Sequence, residues 1–271
     1  MKKKSQKKIT GYCLITGASQ GIGKAIALEL ASRGISSIAI SKEFNELELL
    51  KNKIISKYNI DCKILCKDLL NPSSYTEIYD FCKTNNLKVQ ILINNVGIGY
   101  SGSFQETSIN FDDNLVRLNI MPMIQLTKLF LPELKKFDKS YILNMSSLGS
   151  YRPIPYKALY SASKSFIYSF SKSLYTELKS ESIQVSVSCP AGVYTNSAVV
   201  KRINASGNIA KWTSLYVNIV ASYIIYSMFR RKSVIIPGIG AKVLLILMKI
   251  MPEAFIRWLL ARNMKKNDKQ N

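Results

Sequence analysis

The strongest constraint on this chain is a repeated alternation of short apolar runs with helix-length segments. YCLITG (12–17) ends in glycine and leads into the helical pattern GKAIALELASRG (23–34). The runs ISSIAIS (35–41), CKILCKD (62–68), VQILINN (89–95), SYILNMSS (140–147) and IQVSVSCP (183–190) follow, separated by helical patterns at 46–58, 74–85, 111–136 and 160–181. Strands separated by helices pair in parallel, with the helices covering both faces of the sheet. The expected class is therefore α/β: one doubly wound parallel sheet of about seven strands, with SVIIPG (233–238) as its last edge strand. Past Thr195 the regularity changes. Residues 212–229 read as one helix and KVLLILMKIMPEAFIRWLLAR (242–262) as an apolar, partly amphipathic tail. The expected division is a basic leader at 1–9, an α/β domain at 10–240 and an apolar, basic helical tail at 241–271.

TGASQGIGKA joins the first strand to the first helix. Gly17, Gly21 and Gly23 suit a tight turn, a close backbone approach and helix–strand packing, which leaves helix N-terminal amides free for a pyrophosphate. A glycine motif alone is weak, but strand, glycines, helix and next strand stand here in the order of a Rossmann-type start. An acidic residue about 20 positions further on would favour NAD. Ser41 and Lys42 stand there instead, a small residue and a cation suited to the 2′-phosphate of NADP(H), although Lys42 also reads as a plain surface lysine.

The chain contains no histidine, which removes serine–histidine hydrolysis and most metal chemistry. Tyr160 and Lys164 lie one helical turn apart and so share a face. A free tyrosine, with a pKa of about 10, is a poor base at pH 7. A neighbouring ammonium favours the phenolate, and the pair then supplies acid–base chemistry without histidine. With 15 tyrosines and many lysines, the spacing alone carries little weight.

Context adds to it. TGASQGIG, Asp68 after the third strand, NNVG (94–97), Asn119, NMSS (144–147), YSASK (160–164) and PAGVYT (190–195) occur in order. Over about residues 10–200 the sequence resembles the short-chain dehydrogenase/reductase family. The resemblance implies that Tyr160 protonates a substrate carbonyl or deprotonates an alcohol, that Lys164 lowers the tyrosine pKa and holds the nicotinamide ribose, and that Ser147, rather than Ser146, bonds the substrate oxygen. Asn119 would anchor a water in a proton relay. Gly17, Ser19, Gly21, Ile22, Gly23, Ser41, Lys42, Asp68, Asn94, Gly97, Pro190, Val193 and Thr195, with Tyr160 and Lys164, would form the NADP(H) site. Two positions depart from the family pattern: Val96, where alanine is usual, and Ala191, where glycine commonly follows the proline. Pro122 cannot donate to the carbonyl of Leu118, so a kink is expected beside Asn119.

Thirty-eight lysines and arginines against 17 acids give a net charge of +21, partly in the terminal segments. Both a solvated lysine-rich surface and attraction to an anionic membrane account for it. No nucleic-acid module is present. Five scattered cysteines read as reduced, and their spacing gives no metal site. The start fits no secretory leader, and no apolar run reaches the roughly 20 residues that span a bilayer. A cytoplasmic protein is expected, peripheral on a membrane if Trp258, Leu259 and Leu260, between Arg257 and Arg262, form an interfacial helix. The alternative is a tail docked on its own domain or on a partner subunit. Tyr216, Tyr223, Ile224, Ile225, Tyr226 and Phe229 read either as the lining of an apolar substrate pocket or as core. The leading expectation is an NADPH-dependent reductase of a lipophilic carbonyl, a homodimer or homotetramer paired through the helices at 112–135 and 156–181. The alternative is a catalytically idle NADP-binding scaffold or membrane-surface adaptor.

Overall fold

A computed structural model describes residues 9–252 and residue 254. Among them, five-residue β1 (Tyr12–Thr16) leads through α1 (Gly21–Ala31), β2 (Ser37–Ser41), α2 (Phe44–Tyr58), β3 (Cys62–Cys66) and α3 (Ser73–Thr84) to β4 (Val89–Asn94). Then come α4 (Ile109–Leu134), β5 (Ser140–Met145), α5 (Ala158–Glu177) and β6 (Ile183–Ser188). The sheet runs β3-β2-β1-β4-β5-β6-β9, with β9 at Val234–Ile235, and every neighbouring pair is parallel. That is the seven-stranded doubly wound sheet expected of the alternating pattern.

Strands β2, β4, β5 and β6 are buried along their whole length, because helices cover both faces. Alternate residues serve opposite cores. Cys13 and Ile15 face α1 and α2, packing with Ile26, Leu30, Leu47 and Leu50. Leu14 between them faces the other side, where Ile78 of α3 and Leu126 and Phe130 of α4 complete the core.

The chain leaves β1 toward β2 on one side and returns to β4 on the other. Between the carboxyl ends of β1 and β4 this reversal opens a crevice, the place where open α/β sheets hold ligands.

After β6 the structure differs from the expectation. A two-residue strand, β7 (Val193–Tyr194), pairs with β8 (Leu215–Tyr216), and α6 (Ser197–Ala205) and α7 (Asn208–Thr213) lie between them. The single helix expected at 212–229 is thus split. Ser214 is extended, and the Leu215 amide donates to the Gly192 carbonyl at 3.1 Å instead of continuing a helix. The helix resumes as α8 (Val217–Phe229). Helix α4 continues through Pro122 and Pro132, so the proline expected to mark a kink sits inside one 26-residue helix.

Helix α8 decides between the two readings of its aromatic and aliphatic residues. Ile224 and Ile225 are fully buried in the core that α8 shares with α1, and Phe229 packs edge-on against Tyr141 at 5.2 Å. These are core residues rather than a pocket lining, while Tyr216 and Tyr226 are exposed. The last helix described, α9 (Ile239–Ile250), docks on its own chain through Ala241 and Leu245, which pack against Leu148. The interfacial segment expected around Trp258 lies outside the described residues. Ile224→Ala should lower stability by about 2–5 kcal/mol, the usual cost of emptying a filled core site. Urea unfolding measures this, and a loss well under 1 kcal/mol would contradict the core placement.

Candidate active site

Every residue singled out in the motifs falls at the carboxyl edge of the sheet, but the structure gives them unequal positions. Gly17 turns the chain at φ 65°, and a Cβ there would sit 3.0 Å from the Val96 Cα. A Cβ on Gly23 would collide with the Gly17 carbonyl oxygen and lie 2.6 Å from Asn95 Nδ2. Gln20, at the start of α1, makes no side-chain cap bond, so the first-turn amides face the loop without a capping side chain. This cradle fits the pyrophosphate of a dinucleotide. Ile22 is half-buried in the first turn, and Thr195 reaches the loop from beyond β6, its Cγ2 3.5 Å from where a Gly21 Cβ would be.

At the far end of the crevice the buried Ser41 donates to the buried Ser19 at 2.8 Å. Lys42 is exposed beside them, and the nearest carboxylate in sequence, Glu43, is exposed at the start of α2. Asp68 is exposed too, and its Oδ1 accepts from the Leu70 amide at 2.9 Å, ordering the turn after β3.

The two asparagines that end β4 divide their work. Asn94 turns into the core, where Nδ2 donates to Asn144 Oδ1 at 2.8 Å and Thr127 Oγ1 at 3.2 Å. Asn95 faces the glycine loop: its Nδ2 donates to the carbonyls of Thr16 and Gly17 at 2.9 and 3.1 Å. Thr16 Oγ1 accepts from the amides of Asn95 and Val96 at 3.0 and 3.1 Å. Sequence reading singled out Asn94 and missed Asn95 and Thr16. In an NN pair only the strand register tells which side chain faces the loop.

The reaction end of the crevice is assembled by β5, α4 and α5. Ser146 is buried, with its hydroxyl donating to the Lys164 carbonyl at 2.7 Å. Ser147, two residues past the end of β5, accepts from the Gly149 amide at 3.2 Å and stands beside the Tyr160 hydroxyl. Lys164 is buried, its Nζ donates to the Met145 carbonyl at 3.0 Å, and it lies 5.8 Å from the centre of the Tyr160 ring. Gly97 leaves the gap between them and Asn119 open, since a Cβ there would be 3.3 Å from Lys164 Nζ and 2.8 Å from Asn119 Oδ1. Asn119 itself is held on three sides. Its Oδ1 accepts from the Ile98 amide, and its Nδ2 donates to the Ile98 carbonyl and to Ser163 Oγ, at 2.8, 3.0 and 3.0 Å. Pro190 accepts from the Leu148 amide at 2.8 Å, and Val193 lies in β7.

Proton affinities differ from the sequence expectation. Burial pushes the Tyr160 phenol up, while the Ser147 hydrogen bond and the charge of Arg202 draw it back. The Ser147 hydrogen bond is the larger of the two pulls, and the second comes from Arg202 on α6, which the sequence did not single out. Burial holds Lys164 itself down at about 8, opposed by Cys189. The arrangement presents a protonated tyrosine at neutral pH, placed to donate.

Beside Tyr160 opens a cavity of about 380 Å³. Its walls are largely aromatic and aliphatic, including Tyr100, Phe104, Phe111, Leu115, Tyr156 and Leu159, with Asp112 and Lys157 as its charged groups. They come from the segment after β4, the start of α4 and the approach to α5.

The family model for short chain dehydrogenase matches residues 12–205 of this chain. The chain belongs to the short-chain dehydrogenase family. It is 34% identical over 197 residues to the very-long-chain 3-oxoacyl-CoA reductase-B of Danio rerio, and 34% over 199 residues to the 17-beta-hydroxysteroid dehydrogenase type 3 of Mus musculus. These matches take in 70% of this chain but 62% and 64% of those proteins, so the chain spans less than two thirds of the relatives' length. Among solved structures, a short-chain dehydrogenase from Sphingobium yanoikuyae in complex with NADPH superposes with a TM-score of 0.76 at 25% identity, covering 90% of this chain and 97% of that one.

In this short-chain dehydrogenase the glycine loop and Asn95 are packed without slack. Gly23→Ala should therefore weaken dinucleotide binding by at least about tenfold, since the new Cβ must displace the Gly17 carbonyl that shapes the loop. Titration of NADPH fluorescence measures it, and unchanged affinity would contradict the cradle.

Proposed function

We propose that this protein is an NADPH-dependent oxidoreductase that reduces the carbonyl of a lipophilic substrate. The observation that carries the reading is the meeting of Ser147, Tyr160 and Lys164 at the edge of an apolar cavity. Bound NADPH would supply the hydride. The chain's own residues then do the remaining work. Ser147 and Tyr160 hold the substrate oxygen, and Tyr160 donates the proton as the carbonyl becomes an alkoxide. Lys164 steadies the phenolate that results and holds the nicotinamide ribose. Asn119, fixed by Ile98 and Ser163, keeps the helix beside Lys164 in register and offers the second lone pair of Oδ1 to a relay water. Gly17, Ser19, Gly21, Ile22, Gly23, Gly97, Pro190, Val193 and Thr195 would frame the dinucleotide, with Asn95 holding the loop and Asn94 bracing β4 from the core side. Asp68 would meet the adenine, and Ser41 with Lys42 would take the 2′-phosphate.

The aromatic walls suit an acyl chain or a steroid, the substrate classes named for the two relatives. Exposed Val116 and Met121 on α4 and Phe166 on α5 support association through those helices, as a homodimer or homotetramer. A peripheral position on an anionic membrane belongs to the same reading.

Tyr160→Phe should lower turnover of a 3-oxoacyl thioester or ketosteroid by at least about 10²-fold, the loss expected of a general acid, while NADPH still binds. Stopped turnover with retained binding supports the role, and undiminished turnover would remove it. Wild type should use NADPH in preference to NADH in the same assay.

The pH dependence has a defined sign. Reduction needs Tyr160 protonated and Lys164 charged. Burial holds the first above its ordinary value and the second at about 8. Reductive kcat/KM should be level below pH 8 and fall as pH rises through and beyond it. A rise with pH over that range would contradict the assignment.

A further inference from the structure

Helix α9 carries its apolar residues on the wrong side for a helix that merely docks on its domain. Ala241 and Leu245 point inward to Leu148, and the Arg152 guanidinium fixes the last turn by donating to the Met248 carbonyl at 3.0 and 3.1 Å. The opposite stripe, Ile239, Val243, Ile246 and Ile250, follows the i, i+4, i+7, i+11 spacing of one helical face. It faces outward: Ile239 is 78% exposed, Ile246 56% and Ile250 76%. Helix α7 packs against the start of α9, where Gly240 lies under Trp212, and adds Trp212 itself at 58% exposure.

Charge decides what could cover this face. Between Glu181 and Glu253 the sequence has no aspartate or glutamate but eight lysines and arginines. Lys242 and Lys249 border the stripe, with Lys242 bonded to the Tyr223 hydroxyl at 3.0 Å. A second copy seated on the face about a two-fold axis would bring this acid-free region against itself, cation facing cation. An apolar stripe with cations along its border suits an interfacial helix on an anionic bilayer, with the side chains in the acyl boundary and the lysines at the headgroups.

We propose that the outer face of α7 and α9 is the surface by which the protein lies on anionic phospholipid. This rests on the peripheral-membrane reading above and names its contact. The inner side of α9 touches Leu148, next to Ser147, so the lipid-bound helix also braces the strand end that carries the substrate-facing serine.

The test is co-sedimentation of the full chain with phosphatidylcholine vesicles, with and without phosphatidylserine. Binding should need phosphatidylserine and fall by about tenfold or more between about 0.05 M and 0.5 M salt, as screening of exposed charges requires. Ile246→Glu with Ile250→Glu, two exposed positions, should cut vesicle binding by at least about tenfold, because it places carboxylates in the acyl boundary. The same double variant is assayed for reduction of a water-soluble ketone without vesicles. Loss of vesicle binding with retained reduction supports the proposal. Unchanged vesicle binding overturns it, and so does a wild type that does not sediment with anionic vesicles. A wild-type dimer that the double variant converts to monomer would show a second copy on the face, and this too overturns it. Wild type that binds vesicles but reduces no carbonyl would leave the membrane face standing and remove the proposed activity.

Discussion

The crevice between β1 and β4 depends on one small set of polar contacts. Sheet order alone separates the two strand ends, but it does not shape a loop that approaches a phosphate. Thr16 and Asn95 do so, with four bonds between the last residues of β1 and the first beyond β4. The glycine loop is thereby tied to the chain that continues to Gly97, Ile98 and Asn119. The nucleotide end and the reaction end form one hydrogen-bonded path: Asn95 to the loop, Ile98 to Asn119, Asn119 to Ser163, and Ser163 to the Tyr160 carbonyl at 2.8 Å. Each link is short and buried or partly buried, where leaving a polar group unpaired would cost about 1–3 kcal/mol.

The reaction end carries its own energetic tension. Lys164 is buried with one carbonyl bond and no carboxylate beside it. Its ordinary value is 10.5 and the folded value about 8. Below pH 8 both folded and unfolded chains hold the proton, and the folded state bears the full cost of a buried charge. Between about 8 and 10.5 the folded chain has lost the proton that the unfolded chain keeps, so stability rises with pH across that window. Tyr160 has the opposite sign. Its raised value leaves the phenol neutral in both states at neutral pH, and stability falls only when the unfolded phenol ionises near its ordinary 10. A core filled on both faces of the sheet is what allows such a site to exist, since the lysine burial is destabilising below pH 8.

Most of the fold was legible in the sequence because a parallel sheet writes itself as continuous apolar runs at regular intervals. The glycines, Ser147, Tyr160 and Lys164 were legible because their motifs occur in order. Legibility failed where one tertiary contact chose between equal local readings. Asn94 and Asn95 are identical in composition and differ only in which face the strand turns outward. Residues 212–229 have helical composition throughout, yet the backbone of Gly192 captures Leu215 and splits them. Ile224 and Ile225 are apolar in either a pocket or a core, and only the position of α1 settles the matter. Arg202 gave no local signal, because its effect on Tyr160 depends on where α6 packs.

The apolar, basic character of the tail was legible in the sequence, but which side of KVLLILMKI meets the domain was not. Here the inner side is satisfied by Leu148 and the outer side is left to solvent, on a helix that carries two lysines and no carboxylate. The edge of the sheet that carries the proposed chemistry is thus bounded by two unlike surfaces. One is a polar crevice that fits a dinucleotide; the other is an apolar helix face bordered by cations. A lipophilic carbonyl has no reason to enter through the first. The second lies against the turn that follows Ser147, through Leu148, so the proposed membrane contact and the proposed chemistry meet on one stretch of chain.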